Sequence, residues 1–505
     1  MKDVAAAATG SAETEFKLAD LWRIRGKLER AIEGFQRAIH CQPDYLPAYL
    51  ELVHLLEQND QPDLAIEWCR RAIQHHPNEP GLQQQLEKLI LAQLPATAQA
   101  GALTTPRPVA ASASASTGQR ILLYTDCSDT FGVEQWNHSL MCGLRARNFD
   151  VCCAQGLAQN HLVEQQRAAG IRHAWLEADD LYDPTRPTKS FDNWQEAESI
   201  IAANRPDLIV FSSGCPVSNL AAKEVAARLD IPYLVIVHLV IESWSRQFAT
   251  VTSRLQAVHD KARSVVAVSR NNLELLRRHF YLSDSRGEVV INGIKPEFFK
   301  PRRKQIRQRL RRELGIEEDS IVALTVARLA QAKGHQHVLK AAALLRRRPV
   351  GPGLRFVWVG SGSLESRLRI VAADLGVADQ IRFLGERSDV PQLLDMADLF
   401  ILTSHFEGMP LAVMEAMAKG LPVMACDVGG VADQLGATGK LLPAAGTRPD
   451  DLVNAVAGTL EDWAMDARLR RRIGRAAKKR AVELFREEKM LDKYFRLVER
   501  GLQRP

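Results

Sequence analysis

Two glutamates stand eight residues apart in HFEGMPLAVMEAMAKGLPV, a segment that joins a turn to an apolar helical pattern. Glu407 belongs to the turn and Glu415 to the helix. The start of that helix, residues 408–411, should present unpaired backbone amides, which bind anions such as phosphate. A carboxylate instead accepts hydrogen bonds from neutral hydroxyls, two of them at once. The segment therefore predicts a ligand that carries hydroxyl groups on both sides of a diphosphate.

Positive charge for such a diphosphate should come from side chains, because the sequence contains no Asp-x-Asp pair to hold a divalent ion beside it. Arg328 and Lys333 in VARLAQAKGHQ follow an apolar strand pattern and occupy a strand-to-helix turn. Arginine offers a planar fork and lysine a point charge, and together they offset charge on a departing nucleoside diphosphate. A solvated loop explains the same two residues. We expect no metal and no cofactor.

Short apolar runs alternate with amphipathic helical patterns from Arg120 onward. The runs are ILLYT, DVCCA, LIVFSS, YLVIVH and VVAVS, followed by IVALTVAR, RFVWVG, IRFLG, LFILTS and PVMACD. Continuous β-branched runs separated by helices indicate parallel strands that are covered on both faces. The expected class is α/β, with two doubly wound Rossmann-like domains, 120–297 on the acceptor side and 298–505 on the donor side. The carboxyl ends of both sets of strands should line one cleft that binds the ligand.

The first hundred residues contain a repeat with a period of 34. The recurring positions are Ala31, Ala38 and Pro43, which match Ala65, Ala72 and Pro77, and also Leu18, which matches Leu52. This period and these residue types resemble tetratricopeptide repeats, so an all-α segment is expected over 12–94. An Ala-, Ser-, Thr- and Pro-rich flexible linker should follow over 95–119. The repeats are a surface for a protein partner or, equally, a packing or dimerisation module.

Length and composition restrict the remaining function classes. A chain of 505 residues should form two or three domains. A net charge of +6 with 25% charged residues is ordinary, so no nucleic-acid partner is expected. No secretory signal and no apolar stretch of about 20 residues is visible, which favours a cytoplasmic protein. The eight cysteines lack paired spacing, which makes zinc unlikely and predicts reduced thiols.

Two basic runs, KPRRKQIRQRLRREL and RLRRRIGRAAKKR, have two explanations. They are the solvated faces of amphipathic helices, which is the commoner case, or they attach the protein peripherally to an anionic membrane surface. Attachment at the inner membrane face would suit a lipid-linked acceptor.

The sequence around these residues closely resembles glycosyltransferase family 4, a large family of retaining enzymes with the GT-B fold. The matching segments are VARLAQAKG, VWVGSG, VVINGIKPEFF and FLGERSDVPQLLDMADLFILTSHFEGMPLAVMEAMAKGLPVMACDVGG. The resemblance is strong over about 265–443, looser over 120–263, and absent from the repeats. Two departures are Phe131, where the family has a second glycine, and Lys295, where it favours aspartate.

The resemblance implies roles for ten residues. Arg328 and Lys333 match the diphosphate-binding pair, and Glu415 matches the ribose-binding carboxylate. The group that grips the transferred sugar and the phosphates comprises Glu407, Gly408, Met409, Pro410 and Leu411. Gly132 matches the first-domain glycine that lies against the diphosphate. His238 resembles the histidine near the reacting sugar, although a buried structural histidine at a strand end is the alternative.

The resemblance further implies metal-independent transfer of a hexose from a UDP- or GDP-linked sugar, with retention, to an acceptor hydroxyl. The acceptor would be a glycan, a lipid-linked glycan or a protein. Two other functions stay open. One is a non-catalytic repeat scaffold that carries a degenerate transferase, and the other is a nucleotide-sugar epimerase or phosphorylase on the same fold.

Overall fold

The structure is a computed structural model, and it describes residues 11–24, 27–59, 61–76, 82, 86, 89, 118–127, 132–156, 160–176, 191–348, 353–446 and 449–503. The chain divides into two compact units, Met1–Ala115 and Ser116–Pro505, and each is treated by itself. Most of the expected linker, most of the helix expected over 82–94, and Phe131 lie outside the described residues.

The first unit contains four described helices, Ala12–Ile24, Leu28–Cys41, Leu46–Gln58 and Pro62–His75. The first and third helices begin 34 positions apart, and so do the second and fourth. The alanines of the repeat are fully buried, as expected where helices cross closely: Ala31, Ala38, Ala65 and Ala72. Leu18 is 41% exposed whereas Leu52 is buried, so these two positions are not equivalent. Four helices are confirmed in this unit, and their repeat class stays a prediction.

The second unit contains two parallel sheets. The strands of the first sheet are β1 (Arg120–Thr125), β2 (Asp150–Gly156), β3 (Arg172–Leu176), β4 (Leu208–Ser213), β5 (Tyr233–Val237), β6 (Ser264–Ala267) and β7 (Glu288–Val289). Those of the second are β8 (Ile321–Val326), β9 (Leu354–Val359), β10 (Ile381–Phe383), β11 (Leu399–Leu402), β12 (Val423–Cys426) and β13 (Lys440–Leu442). The strand orders are β3-β2-β1-β4-β5-β6-β7 and β10-β9-β8-β11-β12-β13. All registered pairs are parallel, so the two Rossmann-like domains are confirmed.

All ten apolar runs that predicted strands form strands. Three further strands were not anticipated, namely β3, β7 and β13. β3 is a partly exposed edge strand, β7 has two residues, and β13 contains an exposed lysine and leucine. None of them therefore presents the continuous buried pattern of a central parallel strand.

Helices cover both faces of these sheets. Those of the first half are Gly132–Ala146, His161–Ala168, Trp194–Asn204, Leu220–Arg228, Ser243–Gln247, Ala249–Thr252, Leu255–Lys261 and Arg270–His279. Those that follow are Lys304–Glu313, His335–Arg346, Glu365–Asp374, Val390–Met396, Leu411–Ala418, Val431–Leu435, Pro449–Met465, Ala467–Leu484 and Glu487–Leu502. Short 3-10 turns span Pro296–Phe299, Gln331–Lys333 and Ala378–Gln380. None of the helices among the described residues is long and apolar enough to cross a membrane.

The last helix, Glu487–Leu502, returns to the first sheet. Its apolar residues share one core with β1, β4 and β5, although the predicted boundary assigned it to the second half. Gly143 accommodates it, because a Cβ there would lie 2.6 Å from the ring of Phe495. The helix is strongly amphipathic, but its pattern does not specify which sheet covers the apolar stripe.

The first basic run is not a uniformly solvated face. Arg311 is fully buried and donates to Asp398 at 2.6 Å and to backbone carbonyls, including that of Ser320 at 2.8 Å. Arg307 donates to the other oxygen of Asp398 at 2.9 Å. The expectation of a solvated face was therefore wrong for these arginines, which join the Lys304–Glu313 helix to the second sheet.

Candidate functional site

The predicted site residues lie at or beside the points where strand order reverses, between β1 and β4 in the first sheet and between β8 and β11 in the second. In the second sheet, the loops after the neighbouring strands β8 and β11 carry Lys333 and Glu407. In the first sheet, Gly132 follows β1 and His238 follows β5. Carboxyl ends of parallel strands at such a reversal form a crevice, which is the usual ligand site of this architecture.

Glycines bring the loops of the second sheet together. Gly334 ends the 3-10 turn with φ +64°, and a Cβ there would lie 2.1 Å from the carbonyl oxygen of Thr403. Gly360 and Gly362 lie under the loop after β8, where a Cβ would come within 2.5 Å of the carbonyl oxygens of Ala327 and Leu329. Any side chain at these positions would push the Arg328–Lys333 loop out of place.

Lys333 and Glu407 form a hydrogen-bonded ion pair. The Lys333 ammonium donates to Glu407 Oε1 at 2.6 Å, and the Ser404 hydroxyl donates to the same oxygen at 2.7 Å. The other carboxylate oxygen, Oε2, has no hydrogen-bond partner within the part of the chain that the structure describes. The pair keeps a cation and a hydroxyl acceptor adjacent, as recognition of a sugar phosphate requires.

Arg328 lies on the same loop, five positions before Lys333, and its side chain is exposed. The neighbouring Leu329 is buried and its amide donates to the Ser361 carbonyl at 2.8 Å. The loop therefore holds the arginine at the surface of the site, where its guanidinium is accessible to a ligand.

The helix after Glu407 begins at Leu411, and Pro410 is its N-cap with φ −64°. Among the described groups, none accepts a hydrogen bond from the amides of Gly408, Met409 or Leu411. Pro410 has no amide hydrogen, so the expectation of a donor there was wrong, and its ring instead fixes the backbone. The carbonyl of Met409 accepts a hydrogen bond from the Asn292 side-chain amide at 3.2 Å, and the carbonyl of Pro410 accepts one from the Gln434 side-chain amide at 3.0 Å. The amides of Gly408, Met409 and Leu411 are therefore available to donate hydrogen bonds to an anion.

Gly408 packs directly against the first half at the site. A Cβ at this position would lie 1.7 Å from the carbonyl oxygen of His238. Gly430 continues the contact, because its amide donates to the Gly408 carbonyl at 2.7 Å and a Cβ on it would meet Ser269. The sequence motif predicts Gly408 as a phosphate donor, but it does not reveal this packing role.

His238 is buried between polar and aromatic groups. Its Nε2 lies 3.0 Å from the Ser212 hydroxyl, and its ring meets Trp136 edge-on at 4.8 Å. Burial lowers the pKa of His238 to about 3, so the imidazole is neutral at physiological pH. It can orient a ligand by a hydrogen bond but cannot supply a cation. The C-terminal helix supports it through Tyr494, whose ring meets Trp136 at 4.9 Å.

Glu415 and Gly132 lie near the opposing helix starts. A Cβ on Gly132 would be 3.8 Å from Leu411 Cδ1, so the two helices approach each other at their first turns. The Glu415 carboxylate accepts no hydrogen bond among the described residues. Burial raises its pKa to about 7, with Lys295 acting in the opposite direction. An unpaired carboxylate in this position is suited to ligand hydroxyls.

A polar cluster at the end of β1 was not anticipated. Asp126 accepts from the Gly214 amide at 3.0 Å and from the Ser218 hydroxyl at 2.7 Å, and burial raises its pKa. Lys223 is fully buried behind it, and burial lowers the pKa of that lysine to about 8. The loop composition DCSDT gives no indication that one aspartate is fixed by the β4 loop. Among the described residues, no group of three or more His, Cys, Asp or Glu is arranged to hold a metal.

This architecture, two facing Rossmann-like domains with a C-terminal helix that crosses back, defines the GT-B class. Two family models match consecutive parts of the chain, "Glycosyltransferase Family 4" over residues 131–298 and "Glycosyl transferases group 1" over residues 306–480. The chain is therefore a glycosyltransferase family 4-like protein of GT-B fold, as its sequence motifs predicted.

Relatives and solved structures agree with this assignment. The UDP-Gal:alpha-D-GlcNAc-diphosphoundecaprenol alpha-1,3-galactosyltransferase of Escherichia coli is 29% identical over 38% of this chain and 47% of its own length. The D-inositol 3-phosphate glycosyltransferase of Corynebacterium glutamicum is 34% identical over 41% and 51%. The chain thus spans about half the length of these curated relatives. Anabaena Alr3699/HepE in complex with UDP has the same fold, with TM-score 0.62, 19% identity, and coverage of 75% of this chain and 100% of that one.

Proposed function

We propose that the protein transfers a hexose from a UDP- or GDP-linked sugar to an acceptor hydroxyl with retention of configuration and without a metal. The observation that carries this proposal is the Lys333–Glu407 pair beside the free amides of the Leu411–Ala418 helix start. A cation, an anion-binding helix start and a hydroxyl acceptor are the three groups that a sugar diphosphate needs.

The proposed chemistry is a front-face displacement. The anomeric C–O bond to the diphosphate breaks, the acceptor oxygen bonds to the same face of that carbon, and the acceptor proton passes to the departing phosphate oxygen. Arg328, Lys333 and the helix amides stabilise the charge that develops on the leaving group. Glu407 holds the sugar hydroxyls, Glu415 holds the ribose, and neutral His238 orients the sugar or acceptor.

The scaffold and epimerase alternatives predict different site residues or different products. A degenerate transferase should first lose its charged residues, yet Arg328, Lys333, Glu407 and Glu415 are all present. An epimerase or phosphorylase shares the fold and is distinguished by its products. The intact charged set favours the transferase.

A screen for slow hydrolysis of UDP- and GDP-sugars tests the activity. We expect hydrolysis of one donor, unaffected by EDTA, with the released sugar first seen by NMR as the anomer of the donor. Glu407→Ala should lower the rate about a hundredfold or more, because the sugar loses its hydroxyl acceptor. Glu499→Ala, which removes an exposed glutamate from the last helix, is the matched control. Epimerised donor, loss of activity in EDTA, or an unchanged Glu407→Ala rate would contradict the proposal.

We further propose that the protein is cytoplasmic and that its acceptor is a glycan, a lipid-linked glycan or a protein. The recurrence of helix starts after 34 positions supports tetratricopeptide repeats in the first unit. Such repeats commonly bind an extended peptide or a partner protein on a concave surface. That surface would recruit the acceptor or another protein that handles it.

A membrane contact is supported by one face of the Ala467–Leu484 helix. Its exposed basic residues recur every three or four positions, as Arg468, Arg471, Arg472, Arg475 and Lys479. Arg470 does not belong to this set, because it donates to the carbonyl of Ala464 at 2.9 Å. The stripe is positioned to contact anionic headgroups at the inner membrane face.

Replacing Arg471, Arg472 and Arg475 by glutamine should weaken binding to anionic vesicles roughly a hundredfold, at about 1 kcal/mol per charge. Cosedimentation with phosphatidylcholine vesicles that contain about 30 mol % phosphatidylglycerol measures this. The control replaces Arg312, Arg347 and Arg367, which are also exposed but lie outside the Ala467–Leu484 helix. Equal binding of both triple variants, or no binding of the parent protein, would count against the membrane contact.

A further inference from the structure

The amides at the start of the Leu411–Ala418 helix are directed by the carbonyls that precede them. The described peptide bonds are trans, and in a planar trans peptide the carbonyl and the next N–H point in opposite directions. A group that binds the Gly408 carbonyl therefore directs the Met409 amide. In the same way, a group that binds the Pro410 carbonyl directs the Leu411 amide.

Residues 430–434 supply both of these groups. The Gly430 amide donates to the Gly408 carbonyl at 2.7 Å. The Gln434 side-chain amide donates to the Pro410 carbonyl at 3.0 Å. Each bond turns the amide that follows its carbonyl away from this segment. The two amides that are directed in this way are among the three that the helix start offers to an anion.

Gln434 is itself held in place. It is fully buried on the short helix Val431–Leu435, and its backbone amide donates to the Gly430 carbonyl at 3.0 Å. Its backbone carbonyl accepts from Arg480 Nε at 2.7 Å, which joins it to the Ala467–Leu484 helix. The side-chain donor therefore extends from a fixed backbone.

The stability of the fold does not require a glutamine at this position. The Gln434 Oε1 atom is buried and accepts no hydrogen bond from any described group. A buried acceptor without a partner costs stability, and this cost offsets the bond that the same side chain donates to the Pro410 carbonyl. Methionine is unbranched and flexible, and it would leave no such oxygen. The amide at 434 is therefore explained by the backbone that it positions.

We propose that Gln434 is a positioning residue of the anion site, which holds the Pro410 peptide so that the Leu411 amide donates to a phosphate oxygen. This inference rests on the proposed function, because it takes the anion to be the diphosphate of a nucleotide sugar. Asn292 provides a contrast within the site. It donates to the Met409 carbonyl at 3.2 Å, but the next residue is Pro410, which has no N–H to direct. Of these two side-chain amides, Gln434 is the one that directs an N–H.

A selective NMR experiment on the full chain tests this inference. Pro410 and Leu411 form the only Pro-Leu pair in the sequence, so proline with ¹³C at its carbonyl and leucine with ¹⁵N together isolate the Leu411 amide signal. In the parent protein, UDP or GDP, whichever binds, should move this proton signal downfield, because hydrogen bonds to charged oxygens are short and strong. In Gln434→Met the signal should move less, because the Pro410 peptide is no longer held.

Calorimetric titration measures the consequence for affinity. Gln434→Met should bind the same nucleotide at least about tenfold more weakly, because a hydrogen bond to a charged group is weakened or lost. Its melting temperature should stay close to that of the parent protein. Gln434→Ser removes the same donor without added bulk and should show the same loss of affinity. The control, Gln166→Met, replaces a buried glutamine of the His161–Ala168 helix and should leave the affinity and the Leu411 signal unchanged.

A parent protein that bound the nucleotide without moving the Leu411 signal would overturn the inference and leave the proposed function intact. So would a parent-like shift and affinity in Gln434→Met. If neither variant at 434 folded, Gln434 would be a structural residue and the inference would fall. If the parent protein bound neither UDP nor GDP, the proposed function would fail first and the inference with it.

Discussion

Replacing Lys333 with alanine should lower the rate of donor turnover by roughly 10²-fold to 10³-fold, because one preorganised cation at the leaving diphosphate is lost. The ammonium lies 2.6 Å from Glu407 Oε1, so the same change also frees a carboxylate next to the phosphates. That unpaired negative charge repels the diphosphate. We therefore expect affinity for the donor to fall together with turnover, as measured by steady-state hydrolysis of the preferred nucleotide sugar.

Lys340→Ala provides the matched control for this variant. Lys340 lies on the helix that follows Lys333 and is exposed, so its removal changes the net charge equally without touching the site. Lys340→Ala should retain the thermal stability of the parent protein. Lys333→Ala should melt earlier, because its largely buried partner Glu407 loses its counter-charge. If Lys333→Ala turned over the donor about as fast as Lys340→Ala, Lys333 would have no part in the mechanism.

The parallel strands were the most predictable part of the fold. A strand that is buried on both faces needs a continuous apolar run, and nine of the ten quoted runs form such strands. The tenth, IRFLG, forms the short edge strand β10. β3 and β13 lie at sheet edges, where one flank is open and polar residues are tolerated. Their sequences RHAWL and KLL therefore carry too little burial signal to be distinguished from loops.

The candidate site was predictable in its residue types but not in its contacts. Glu407 and Lys333 stand in motifs with a recognisable order, yet the ion pair between them joins residues 74 positions apart. Arg311 shows the same limit, because a basic run looks solvated until Asp398, 87 positions away, is placed beside it. Such pairings depend on how strands are ordered in the sheet, and local sequence does not contain that order.

Replacing Gly408 with alanine should reduce transfer at least about a hundredfold, although it removes no charged or donor group. The new Cβ would lie 1.7 Å from the His238 carbonyl oxygen, a distance that a carbon atom cannot adopt. The loop and the first half must therefore separate by more than about 1 Å, and displacement of that size commonly costs about a hundredfold in rate. The Gly408 amide remains available, so the loss reports geometry rather than a missing hydrogen bond.

Gly446→Ala isolates the effect of the clash, because no atom lies within 4 Å of a Cβ built at that glycine. We expect this control to keep the activity and the melting temperature of the parent protein. Gly408→Ala should melt earlier as well, since Asn272 donates to the same His238 carbonyl at 3.2 Å and that bond would be strained. Donor turnover and thermal melting of both variants measure these effects. Full activity in Gly408→Ala would mean that the halves separate at this point during turnover, and the close contact would then belong to a resting conformation.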